Sequence, residues 1–173
     1  SYRQGSNGRY YAFHDMSLQR LPREFRHTLV SEIYDDIDIV NCQPTILNQY
    51  CKGHKISAPV LEHYINRRDS VIKKMGVTRD RAKMLILKIM NGGQLTNSEH
   101  EETSSSFTRK FQTEINQTQK NVIELNPDIV KDVKVSKKVF NVEGKVLNRV
   151  LSRIENEIMM TMSEYFTKNG FDV

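Results

Sequence analysis

The segment GKVLNRVLSRIENEIMMTMSEYFTKNG, residues 144–170, does most to restrict what this chain can fold into. Val146, Val150, Ile154, Ile158 and Met162 recur at about one helical turn, with charged and polar residues between them. Apolar residues at a period near 3.6 make one face of an amphipathic helix. Gly170 is placed to close it in the left-handed conformation. The spacing predicts a long helix over 144–169.

Other segments read the same way. SAPVLEHYINRRDSVIKKMG has Ser57 as an N-cap candidate, Pro59 in the first turn and Gly76 at the end, and predicts a helix. A second helix follows from Thr78 to Gly92-Gly93, then a polar loop over 94–106. FTRKFQTEINQTQKNVIEL predicts a third helix that stops at Pro127. Residues 128–143 fit a short helix or an edge strand. Residues 1–16 fit a loop or short hairpin, Pro22 a turn or helix start, and 44–52 a short helix after Pro44.

YDDIDIVNCQPTIL, residues 34–47, differs from the rest. Residues 33–40 alternate, with Asp36 and Asp38 on one face of a predicted strand and Asp35 on the other. Burying an ionised carboxylate is costly unless something pairs with it. Two carboxylates on one face have the hard oxygen ligands that a divalent cation takes; a half-exposed strand with a solvated face also accounts for them.

In the helix from Thr78, Arg79, Lys83, Leu87 and Asn91 stand four apart and form one slowly turning stripe. Its cationic first half suits a triphosphate, and Leu87 a flat base. An amphipathic helix with a charged first half also explains it. The net charge of +5 favours a polyanionic partner mildly, and segment 65–83 is dense in Lys and Arg. Cys42 and Cys51 make no disulfide framework, so a reducing, intracellular setting is expected. No apolar run approaches the ~18 residues of a membrane span, and no membrane partner is expected. Cys51, His54 and His63 offer three ligands for a minor zinc reading.

Taken in order, several segments resemble family-A DNA polymerases. They are Gly8-Arg9, Ser17-Leu18-Gln19, Leu21-Pro22, Phe25-Arg26 and Leu29; then DIDIVNCQPTIL; then Arg79, Lys83, Leu87, Asn91 and Gly92; then the long helix. The version D-x-D-x-x-N-x-x-P-x-x-L looks most like the divergent family-A-like polymerases of virophages and related mobile DNA elements. The resemblance implies an α+β, helix-rich fold: a palm with a small antiparallel sheet and a helical fingers subdomain. Palm would occupy 1–56, fingers 57–125 with the nucleotide-binding helix 78–91, and 126–173 would return to the palm.

The same resemblance implies a DNA-directed DNA polymerase fragment that joins a dNTP to a primer 3′-hydroxyl by two-metal nucleotidyl transfer. Asp38 and the carbonyl of Ile39 would hold two Mg²⁺ ions. Asp38 and Lys83 would be catalytic. Arg79, Lys83, Leu87, Gln43, Asn91 and Gly92 would bind the nucleotide, and Arg9, Gln19 and Arg26 the primer–template DNA. Leu87 and Asn91 stand where the family has an aromatic residue and a tyrosine, and Gln43 where it has a glutamate. The chain begins at Ser1 and ends at GFDV. That leads us to expect a piece of a longer intracellular protein with further domains, acting in the host cytoplasm or nucleus or in a virion. The fragment would stop before the second catalytic aspartate and be inactive alone. The alternative is a non-catalytic, polymerase-like nucleic-acid-binding or assembly module of a larger replication protein.

Overall fold

The computed structural model describes residues 2–5, 10–13, 17–34, 37, 39–103, 106–134 and 140–171. Two compact units emerge: one from Ser1–Cys42 with Ser152–Val173, the other Gln43–Leu151. The expected segment 57–125 lies wholly inside the second unit, whereas 1–56 and 126–173 are each divided between the two.

The second unit is helical throughout, and its helices start and stop where local chemistry dictates. It holds α2 (Cys42–Gly53) from Gln43 on, α3 (Pro59–Asn66), α4 (Arg68–Met75) and α5 (Arg79–Met90). α6 (Asn97–Glu102), α7 (Phe107–Leu125), α8 (Pro127–Lys134) and the first part of α9 (Val142–Lys168) complete it. Pro59 sits at the start of α3, where a missing N–H costs nothing. The single helix expected from Ser57 to Gly76 is broken at Arg67, whose φ of −131° and ψ of 30° are not helical. Gly76 closes α4 at φ 73°, as its position in the sequence suggests. The Thr78 side chain accepts from Arg81 N and caps α5.

The loop expected over 94–106 instead contains α6. Thr96 and Glu99 form a reciprocal capping box there, which stabilises a helix too short to be read from periodicity. Residues 127–134 resolve to helix α8.

α7 is the centre of this unit, with α3 and α5 packed against it. α5 buries Ala82, Leu85, Ile86, Ile89 and Met90, a full helical stripe. Phe111, Ile115 and Val122 of α7 are also buried. Tyr64 of α3 lies 5.8 Å, centroid to centroid, from Phe111, which stacks on Phe107 at 5.4 Å. Val146, Leu147, Val150 and Leu151 of α9 belong to the same core.

The first unit carries the only sheet found among the described residues. β1 (Tyr2–Gln4) pairs antiparallel with β2 (Tyr10–Ala12). A 3-10 turn (Leu18–Arg20) and α1 (Arg23–Val30) follow. The Gln19 amide fastens the turn to β2: Ala12 N donates to Oε1 at 2.7 Å, and Nε2 donates to the Tyr10 carbonyl at 3.0 Å.

Among the described residues the fold is therefore helix-rich with one small antiparallel sheet, and the described residues of the strand expected over 33–40 are not part of that sheet. Ile33, Tyr34, Ile37, Ile39 and Val40 are described, and none is in a strand. Ile33 is 73% exposed and Val40 80%, so these apolar residues have no sheet face to bury. Asp35, Asp36 and Asp38 lie outside the described residues. No helix among the described residues is long and apolar enough to cross a membrane.

Candidate functional site

Because α5 turns its apolar stripe inward, the residues four apart from Arg79 lie on the outer side. Arg79, Lys83 and Asn91 are exposed and Leu87 is half-buried. Arg79 Nη1 lies 3.3 Å from Asp69 Oδ1, an ion pair open to solvent on both sides and so weakly held. Lys83 has no partner among the described residues.

The remaining cations of α5 are held by α6. Arg81 Nε donates to Glu102 Oε1 at 2.8 Å, and Lys88 Nζ donates to both oxygens of Glu99, at 2.9 and 2.7 Å. The Lys88 hydrogen bond, then the Thr96 backbone N–H, hold the Glu99 carboxyl well below its ordinary 4.5, at about 2. The helix thus sorts its cations, two locked onto α6 and two left toward solvent.

The end of the stripe is built differently. Asn91 Nδ2 donates to the Leu87 carbonyl at 2.9 Å, and its Oδ1 accepts from Asn148 at 3.2 Å. The Asn91 carbonyl accepts from Asn141 Nδ2 at 2.6 Å, and Asn141 Oδ1 accepts from Gly144 N at 2.9 Å. Gly92 has φ 78°, and a Cβ there would strike the Asn141 side chain; one on Gly144 would strike the Asn91 carbonyl. Asn91 and Gly92 therefore join the end of α5 to the start of α9, with the polar atoms of Asn91 taken up by other groups of the protein at the surface. Asn141, Gly144 and Asn148 were not among the candidate site residues read from the sequence. Asn141 ahead of a helix was the available signal, since asparagine is a common N-cap.

The other sequence-predicted residues are scattered. Gln43 is half-buried near the start of α2, Arg26 half-buried on α1, and Ile39 half-buried outside any helix or strand. Gln19 spends its amide on β2. Arg9 and Asp38 lie outside the described residues. Gln19, Arg26 and Ile39 belong to the first unit, whereas Gln43, Arg79, Lys83, Leu87, Asn91 and Gly92 belong to the second.

Among the described residues no group of three or more His, Cys, Asp or Glu side chains is placed to hold a metal. Cys51 is buried, and burial, then Glu114, push its thiol up to about 11, unlike a zinc-binding thiolate. His54 packs its ring 4.3 Å from that of Tyr50.

A second polar feature lies at the start of α3. Both oxygens of Glu114, on α7, accept at 2.8 Å from the backbone N–H groups of Val60 and Leu61. Those are two of the four donors a helix start leaves open. Beside them is an open cleft of about 670 Å³ lined by Ser57, Pro59, Arg109, Lys110, Thr113, Glu114 and Gln117.

Comparison with known proteins adds one relative. It is a virophage protein named for a helicase. The chain is 29% identical over 176 residues to "Putative helicase V13" of Sputnik virophage, covering 96% of this chain and 23% of that protein. The chain thus spans about a quarter of its relative's length. No family model and no solved structure matches.

This finding corrects the family-A polymerase reading. The relative carries a helicase name, and the DNA polymerase activity, the two-metal nucleotidyl transfer and the dNTP roles lose their support. The polymerase-like description of the non-catalytic alternative goes with them. The viral setting fits the relative's source.

Proposed function

We propose that this chain is a nucleic-acid-binding region of a larger helicase-like protein, and that its second unit makes the contact. The observation that carries this is charge placement. Residues 43–151 hold nineteen Lys and Arg against eleven Asp and Glu. Lys73, Lys74 and Lys83 are exposed without a partner among the described residues, and Arg79 has only an exposed one. Cations arranged in this way attract a phosphate backbone, and contacts of that kind position a protein without reading sequence. The helicase name of the relative supports the same partner class. No G-x-x-x-x-G-K-[ST] phosphate loop occurs in these 173 residues, so a P-loop motor is not assigned to them.

Fluorescence anisotropy of the full chain with labelled single-stranded and duplex DNA, over a salt series, tests the proposal. Binding should weaken steeply with salt and depend little on sequence. Lys73→Ala, Lys74→Ala and Lys83→Ala together should reduce affinity about tenfold or more at 0.1 M salt and flatten the salt slope by about 2. Absence of binding by the unaltered chain, or an unchanged slope in the triple variant, refutes it.

A further inference from the structure

The cleft beside α3 combines two cations with an acid that is already engaged. Arg109 and Lys110 are consecutive on α7, both exposed, and neither has an ion-pair partner among the described residues. The acid lining the cleft, Glu114, accepts at 2.8 Å from the N–H groups of both Val60 and Leu61. Its charge is directed at the start of α3, where a carboxylate is favourable. The two cations are left uncompensated at the mouth. Ser57 and Gln117 add polar groups beside them, while Thr113 Oγ1 donates to the Arg109 carbonyl at 3.0 Å. No aromatic side chain is in the lining, so the cleft has no platform for stacking a base.

We infer that this cleft is a second phosphate-binding site, taking a phosphodiester of the bound nucleic acid through Arg109 and Lys110. The inference rests on the nucleic-acid reading above and extends it to a face of α7 that the α5 stripe does not include. Arg109 presents a planar donor fork suited to two phosphate oxygens, and Lys110 a point charge beside it. Glu114 is a positioning residue: by occupying the α3 amides it keeps the phosphate at the cations rather than at the helix start.

The test uses the full chain and the same labelled DNAs. Arg109→Ala with Lys110→Ala should weaken single-strand binding about tenfold and flatten the salt slope by about 1.4, as expected for two lost phosphate contacts. The helical circular-dichroism signal and melting temperature should stay as in the unaltered chain. Arg109→Lys with Lys110→Arg should restore most of the affinity, which a merely structural role would not predict. If the double variant binds like the unaltered chain while the Lys73, Lys74 and Lys83 triple variant is weakened, the inference fails and the nucleic-acid reading stands. If the unaltered chain does not bind, both fail. A calorimetry arm separates the source of the phosphate. Calorimetric binding of inorganic phosphate to the unaltered chain that is lost in the double variant, with the same DNA affinity in both, assigns the cleft to free phosphate and overturns the nucleic-acid occupant.

Discussion

The two units differ in charge as sharply as in packing. Residues 43–151 carry a net +8, whereas Ser1–Cys42 with Ser152–Val173 hold seven Lys and Arg against ten Asp and Glu, a net −3. The modest +5 of the whole chain is the difference between these. The second unit also holds nearly all the large buried side chains, from Leu47 and Tyr64 to Phe111 and Leu147. In the first unit Phe13, Phe25, Leu29 and Ile33 are all exposed, and Ala12 is its one buried hydrophobic among the described residues. Whole-chain composition hides this. Attraction for a polyanion depends on where charge is displayed, and here it is displayed by the unit with the dense core.

The largest expected effect comes from reversing charge in each unit separately. Lys73→Glu, Lys74→Glu and Lys83→Glu should cut DNA affinity by about a hundredfold at 0.1 M salt, since each reversal both removes an attraction and adds a repulsion. Glu157→Lys with Glu164→Lys in the first unit should leave affinity the same or slightly higher in the anisotropy assay. Equal losses in both would end the distinction between the units.

Glycines sharpen the same contrast on stability. Gly144→Ala would drive a methyl group into the Asn91 carbonyl, a backbone atom that cannot swing aside. Overpacking of this kind destabilises by about 3 kcal/mol. For a chain of this size that lowers the melting temperature by roughly 6–12 °C. Gly170→Ala meets nothing within 4 Å and carries only the strain of its φ of 83°, about 1 kcal/mol. Thermal melts of the two variants should rank in that order.

The smallest effect concerns Glu99. Its carboxyl is held at about 2, below its ordinary 4.5, so the folded state favours the ionised form. The stabilisation is complete above about pH 4.5 and fades as pH falls toward 2. The melting temperature of Glu99→Gln should be less sensitive to pH across that window than that of the unaltered chain. Identical profiles would show that the Lys88 pairing adds nothing measurable to folding.

Helix ends were the most legible part of the sequence. Thr78, Gly76 and Pro127 mark boundaries by local chemistry, and the structure places them so. The break at Arg67 was not legible, because apolar spacing continues across it in SAPVLEHYINRRDSVIKKMG. α6 was masked by its polar composition, although Thr96 and Glu99 stand at capping-box spacing. The alternation over 33–40 gave a strand pattern, yet its described residues are in no strand; periodicity reports which face a residue would take, not whether a neighbouring strand exists. For the candidate site, the stripe on α5 could be drawn from four-residue spacing alone. The contacts of Asn91 with Asn141 and Asn148 join positions about fifty residues apart and are invisible to any local pattern.

Glu114 has a consequence for the order in which the chain assembles. The two α3 amides that it satisfies lie 53 and 54 positions earlier in the sequence. During synthesis at roughly 5–20 residues per second, α3 would emerge several seconds before the side chain that completes it. An eight-residue helix is not stable by itself, so α3 should wait, fluctuating, until α7 arrives. A nascent chain stopped before Glu114 should leave Val60 and Leu61 amides open to hydrogen exchange, and one extended through α7 should close them together.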